Sequence, residues 1–256
     1  MSTTTRRARR GLAVIAGLAV ASLALSGCLY ALIPDSGASA GPGKEPDTSG
    51  VSAELLPFYE QQLDWESCAG GFDCTMVTAP LDWADPGKGE IELSVIRHRA
   101  NDGNPVGSLL TNPGGPGASG VDLIRDSLEF AVGVDLSRAF DVIGFDPRGV
   151  GESTAVVCLD TADMDSYLFD IIQEPRGSAA WEKAVIASNQ EFSDACEANS
   201  DGILPYITTE NSARDMDLLR ALLGDDTLHY LGYSYGTMLG ATYSTLFPER
   251  VGRMIL

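Results

Sequence analysis

Gly232-Tyr233-Ser234-Tyr235-Gly236 is the stretch whose residue types and spacing point most directly to chemistry. A serine hydroxyl becomes a useful nucleophile when a sharp strand-to-helix turn lifts it clear of the backbone, and small flanking residues make room for such a turn. In a chain with 28 glycines the five-residue pattern carries little weight alone. Its surroundings carry more. Leu228-His229-Tyr230-Leu231-Gly232 precedes it with the look of a buried strand, and Tyr235 to Phe247 follows with a helical pattern that Pro248 ends. A helix beginning at Tyr235 aims its free N–H groups at the serine. The chemistry this allows is acyl transfer, with Ser234 as nucleophile and Gly232 and Gly236 as the residues that give it clearance.

Two further motifs follow strand-like runs. Asn112-Pro113-Gly114-Gly115-Pro116-Gly117 comes directly after Val106 to Thr111. The oxyanion of a tetrahedral intermediate needs two N–H donors. Tyr235 N–H, next after the serine, is one candidate, and Gly115 N–H is the other. Asp146-Pro147-Arg148-Gly149-Val150-Gly151-Glu152-Ser153 comes after the apolar run that begins at Asp141. Asp146 and Arg148 are expected to pair with each other and fix this turn, as structural support rather than as chemistry.

These motifs need elements to position them. Leu55 to Asp64 reads as a short amphipathic helix. Thr75 to Leu81 and Glu90 to His98 read as strands, separated by the turn residues Asp85-Pro86-Gly87. Gly120 to Phe130 is helical in pattern, with Val121, Ile124 and Leu128 on one face. Residues 158–207 form a longer excursion, mostly helical from Ala180 to Asn199. Thr209 to Leu223 is helical with Gly224 as its stop, and Arg253 to Leu256 begins another strand. Strands alternating with helices predict an α/β fold, a mostly parallel doubly wound sheet covered on both faces.

The three motifs, in this order on these strand ends, resemble the α/β-hydrolase fold. More narrowly the chain is similar to the proline iminopeptidase and secreted tripeptidyl aminopeptidase-like family. Pro80-Leu81-Asp82-Trp83, Tyr206-Ile207-Thr208-Thr209, Asp215-Met216-Asp217 and Tyr233-Ser234-Tyr235-Gly236-Thr237 add to that resemblance, which covers about residues 55–256. The resemblance implies an exported serine hydrolase, most simply an aminopeptidase that releases short peptides from free N-termini. A carboxylesterase of the same fold is the alternative. A lipid-anchored binding protein or a non-catalytic remnant is the reading outside the enzyme class. Peptide or ester substrates are implied, and neither a metal nor an organic cofactor is expected.

One feature departs from the family's pattern, whose order is serine, then acid, then histidine. Only His98 and His229 are present, both before Ser234, and Glu249 is the sole acid after it. The catalytic Asp and His therefore look absent. The chain reads as the first part of a longer enzyme, truncated after the nucleophile helix and inactive alone.

Composition bounds the remaining possibilities. Lys and Arg number 17 against 36 Asp and Glu, a formal net charge of −19, which argues against nucleic-acid binding. Arg6-Arg7-Ala8-Arg9-Arg10 and the uncharged Gly11–Leu25 resemble the basic and apolar parts of an export signal. Leu25-Ser26-Gly27-Cys28 resembles a bacterial lipobox. The expected organisation is a signal peptide over 1–27, a lipid-anchored flexible tether over 28–52 and an N-terminal hydrolase part over 53–256. Cys28 would carry the lipid and hold an exported protein at the outer face of the membrane, or the protein would be secreted. Four cysteines remain, and three pairings are open. Cys68–Cys74 and Cys158–Cys196 are favoured, since each closes a local excursion in an oxidising compartment. Zinc is disfavoured because neither histidine lies at ligand spacing from them.

Overall fold

A computed structural model describes residues 44–101 and 103–256. Seven strands form one mixed sheet: β1 (Glu66–Cys68), β2 (Phe72–Pro80), β3 (Glu90–His98), β4 (Ser108–Asn112), β5 (Asp141–Phe145), β6 (Leu228–Gly232) and β7 (Val251–Ile255), in the spatial order β1-β2-β3-β5-β4-β6-β7. The pairs β5–β4, β4–β6 and β6–β7 are parallel. The pairs β1–β2, β2–β3 and β3–β5 are antiparallel. The parallel part carries all three motifs at its carboxyl ends.

Strand alternation divides the apolar residues between two cores. Leu110, Ile143 and Tyr230 face one side, with Met216 and Leu239. Their neighbours Leu109, Val142 and Leu231 face the other, with Val121 and Ile124. Among the described residues six α-helices accompany the strands: α1 (Leu56–Tyr59), α2 (Gly120–Ala139), α3 (Thr161–Phe169), α4 (Ala179–Asn199), α5 (Thr209–Leu222) and α6 (Tyr235–Leu246). Helices α5 and α6 cover the first face and α2 the second. Ser119 and Thr208 cap the amino ends of α2 and α5, their hydroxyls accepting from Asp122 N and Asn211 N. Gly224, at φ +68, follows the end of α5.

Several expectations need correction. The helix over Leu55–Asp64 is confined to Leu56–Tyr59. Gln61 leaves it because its side-chain amide pairs with both backbone groups of Thr78 on β2, at 2.8 and 3.0 Å. Helix α2 runs on to Ala139, past non-helical backbone at Ser127 and Gly133. Strand β1 and helix α3 were not foreseen. Disulfides join Cys68 to Cys74 and Cys158 to Cys196. The first ties β1 to β2, and the second closes the base of the α3–α4 excursion. The signal segment, Cys28 and most of the tether lie outside the described residues.

Candidate active site

Strand β6 delivers the chain into Ser234 at φ +52, ψ −120. A non-glycine residue at positive φ holds of order 1–3 kcal/mol of strain and persists only where its surroundings enforce it. Here they do. Tyr233 N donates to Asn112 O at 3.0 Å, and Gly236 N donates to Tyr233 O at 2.7 Å. The Tyr230 hydroxyl donates to Gly236 O at 2.9 Å from full burial, which also pushes the phenol pKa up. Gly232 and Gly236 are required by space. A Cβ on Gly232 would stand 2.5 Å from Gly236 O, and one on Gly236 would stand 2.9 Å from Asn112 O. Ser234 itself is exposed at the start of α6.

The glycine turn after β4 touches this elbow. A Cβ on Gly114 would lie 2.5 Å from Tyr233 O, 2.9 Å from Ser234 Cβ and 3.0 Å from Tyr235 N. The Asn112 side chain fixes the turn by accepting from Gly114 N at 2.9 Å. Gly115 follows at φ +105, solvent-exposed. Among the described residues neither Tyr235 N–H nor Gly115 N–H has a protein acceptor. A free N–H on Tyr235, the residue after the exposed serine, and another on Gly115, one residue past the glycine that touches the elbow, are the kind of donors an oxyanion site requires.

Tyr233 adds a contact that sequence reasoning missed. Its hydroxyl donates to Ala131 O at 2.5 Å. Gly133, at φ +70 and ψ 168, interrupts α2 just beyond Ala131. A helix carbonyl normally accepts from the residue four positions on; beside this interruption Ala131 O accepts from the tyrosine hydroxyl.

The third motif is built differently from expectation. Asp146 and Arg148 do not pair. Asp146 accepts from the Ser119 hydroxyl at 2.5 Å, from Val121 N at 3.1 Å and from Glu152 N at 2.9 Å, so it joins its own turn to the start of α2. Arg148 turns inward and grips Asp215 of α5 with two parallel bonds, at 2.7 and 2.6 Å. Both side chains are fully buried. The remaining guanidinium protons go to the carbonyls of Pro80, Leu81 and Tyr206, and Trp83 Nε1 donates to Asp215 at 2.9 Å. A charge pair this dry survives only with its hydrogen bonds filled, as here. Two residues along an extended turn face apart, whereas Asp215 lies 67 positions away and no local pattern announces it. Three of the stretches that carry the family resemblance, Pro80–Trp83, Tyr206–Thr209 and Asp215–Asp217, supply this clamp. Asp217 anchors a second cluster, accepting from Tyr59, Arg220, Tyr243 and Arg250.

The two histidines stand apart from Ser234. His229 is the second residue of β6, about 16 Å along an extended strand from the serine. Its Nδ1 accepts from Arg253 N at 3.0 Å. His98 pairs with Val142, near the start of β5. Both therefore lie toward the amino ends of the parallel strands, opposite the serine. Burial lowers both pKa values, and Arg253 lowers that of His229 further. Proton abstraction from Ser234 needs a base at about 3 Å, and neither imidazole provides one.

Among the described residues, no three His, Cys, Asp or Glu side chains gather in a metal-holding arrangement, and no helix is long and apolar enough to cross a membrane.

Comparison with known proteins adds to this geometry. Residues 107–256 match the sequence model of a family described as alpha/beta hydrolase fold. The chain is 39% identical over 208 residues to a tripeptidyl aminopeptidase of Streptomyces coelicolor, an alignment covering 76% of this chain and 37% of that protein. It is 34% identical over 266 residues to the serine protease Hip1 of Mycobacterium tuberculosis, covering 96% of this chain and 46% of the other. It is 38% identical over 210 residues to a protein named carboxylesterase B from M. tuberculosis, covering 77% and 38%. The chain thus spans less than half the length of each of these relatives.

Proposed function

The chain belongs to the alpha/beta hydrolase family, and on that premise we propose that it is the nucleophile-bearing part of an exported serine hydrolase, an aminopeptidase releasing short peptides from free N-termini. The observation that carries this reading is Ser234, exposed and held at positive φ where the glycine turn at Gly114 touches the elbow, with the N–H groups of Tyr235 and Gly115 left unpaired. Ser234 Oγ attacks the scissile carbonyl. The carbonyl oxygen takes the electron pair and is held by the two N–H groups. Collapse expels the amine, and water then releases the acyl group from the serine. The step needs a base that neither His98 nor His229 can supply. In this reading the base and its orienting acid come from sequence outside these 256 residues.

The choice of peptidase rests on relatives named tripeptidyl aminopeptidase and serine protease. The relative named carboxylesterase B favours a second reading, an esterase with the same nucleophile. The discriminating experiment compares kcat/KM of the whole protein for a tripeptidyl amide and a short-chain ester, with Ser234→Ala as control. Faster amide turnover, lost in Ser234→Ala, supports the peptidase; ester turnover alone supports the second reading. Turnover retained in Ser234→Ala overturns both. Localisation belongs to the same proposal: Cys28 carries lipid and anchors the protein outside the cell. Incorporation of a clickable fatty acid should vanish in Cys28→Ala, and label that persists would overturn the anchor.

A further inference from the structure

The α3–α4 excursion is the part of the fold that the hydrolase reading leaves unexplained. It leaves the sheet after the Asp146–Ser153 turn and returns at Thr209, whose hydroxyl meets that of Tyr235 at 2.8 Å. Both feet thus stand on the carboxyl edge of the sheet. Helix α3 buries no residue, although it contains Met164, Tyr167, Leu168 and Phe169. Phe169 is 75% exposed and Ile171 80% exposed, with Leu168 and Ile186 also open to solvent. Large apolar side chains gathered on one projecting element mark an interaction surface.

The excursion is nonetheless firmly built. Tyr167 of α3 stacks on Phe192 of α4 with ring centroids 4.3 Å apart. The Tyr167 hydroxyl donates to Asn189 Oδ1 at 3.0 Å, and the Cys158–Cys196 disulfide closes the base. Between the helices lies a cleft of about 470 Å³ whose lining combines Ile171, Ile172 and Phe192 with the carboxylates of Asp163, Asp170 and Glu191. That is within the size range of ligand clefts. None of the three carboxylates is in an ion pair among the described residues. Between Cys158 and Asn199 nine acidic residues face two basic ones, Arg176 and Lys183.

We propose that this cleft docks a peptide segment carrying cationic groups next to aliphatic side chains. The aliphatic groups cover Ile171 and Phe192, and the cations meet the three unpaired carboxylates. Charge decides against the other occupants. A second copy of this acidic chain would set like charges face to face, and anionic lipid or nucleic acid would be repelled. Docking needs no turnover, so its absence would leave the hydrolase reading untouched, and an inactive serine would leave docking untouched.

The test is fluorescence anisotropy of the full chain titrated with three labelled peptides of equal length, built from Lys and Leu, Glu and Leu, or Lys and Ser. The Lys–Leu peptide should bind saturably, and the other two at least about tenfold more weakly. Affinity should fall as salt rises from about 0.05 to about 0.5 M, because the carboxylates are screened. Neutralising the rim in Asp163→Asn/Asp170→Asn/Glu191→Gln should cost at least about tenfold, about 1.4 kcal/mol. Ile171→Ser should also weaken binding, and its exposure makes misfolding an inadequate explanation. Equal binding of the Glu–Leu peptide, or undiminished binding by the neutralised variant, would overturn the proposal. So would a lack of saturation, or a face occupied by self-association in sedimentation velocity.

Discussion

Gly114 stands at φ +95, where a methyl group would meet Tyr233 O at 2.5 Å and Ser234 Cβ at 2.9 Å. Gly114→Ala therefore either pushes the elbow away or forces the turn open. It should destabilise the chain by at least about 2 kcal/mol, read as a fall in the urea midpoint at unchanged m-value. Tyr233→Phe is a gentler probe. It removes the hydrogen bond to Ala131 O, at a cost of about 1 kcal/mol. Because Ala131 flanks the break in α2, amide exchange should quicken around Glu129–Val134 more than elsewhere. Uniform exchange would show that the hydroxyl does not hold the break. At this scale the sequence was readable where chemistry is local. The elbow serine and its glycines follow from residue type, since only small residues fit there. Tyr233 was not legible, because its partner lies 102 positions away on a helix whose interruption no spacing rule foretells.

Helix α5 presents Asp215 and Asp217 inward, each to a different arginine cluster. The first is a fully dry pair, so removing one partner strands the other. Asp215→Asn should cost about 3–5 kcal/mol, and replacing Arg148 and Asp215 together by Met and Leu should cost less than the sum of the two single losses, although it still leaves three carbonyls and Trp83 Nε1 without partners. A double-mutant cycle by chemical denaturation checks this, and additive losses would show that the two do not act as a unit. The clamp also explains what could be read of the elements. Strands β3 and β6 were legible to the residue, because apolar runs between turn residues leave few choices. Strand β1 is three residues long, and α3 is nine residues long with none of them buried, so neither prints a strong apolar pattern. The antiparallel edge of the sheet was not legible for another reason: alternation with helices signals parallel pairing, but β1–β3 come before the first long helix and join by short turns.

For the molecule as a whole, the two imidazoles tie stability to pH. Both His98 and His229 have pKa values lowered from 6.5 by burial. The unfolded chain thus binds protons more readily than the folded one just below that value. Their contribution is complete above pH 6.5 and is lost as the pH falls through their folded values. The urea midpoint should drop between about pH 7 and about pH 5. His229→Asn should flatten part of that slope, and an unchanged slope would assign the dependence to other groups. The parallel pairing has a kinetic consequence as well. Strand β4 aligns Leu109 with His229, residues separated by 120 positions. Closing a loop of that length costs about 4 kcal/mol in chain entropy before any contact repays it. The pairings of this sheet therefore belong to different ends of the folding time course: β2 and β3 zip locally, while the glycine turn after β4 must wait for β6 to arrive. A chain held unfolded, or still emerging, therefore lacks the elbow that presents Ser234 until this late pairing has formed.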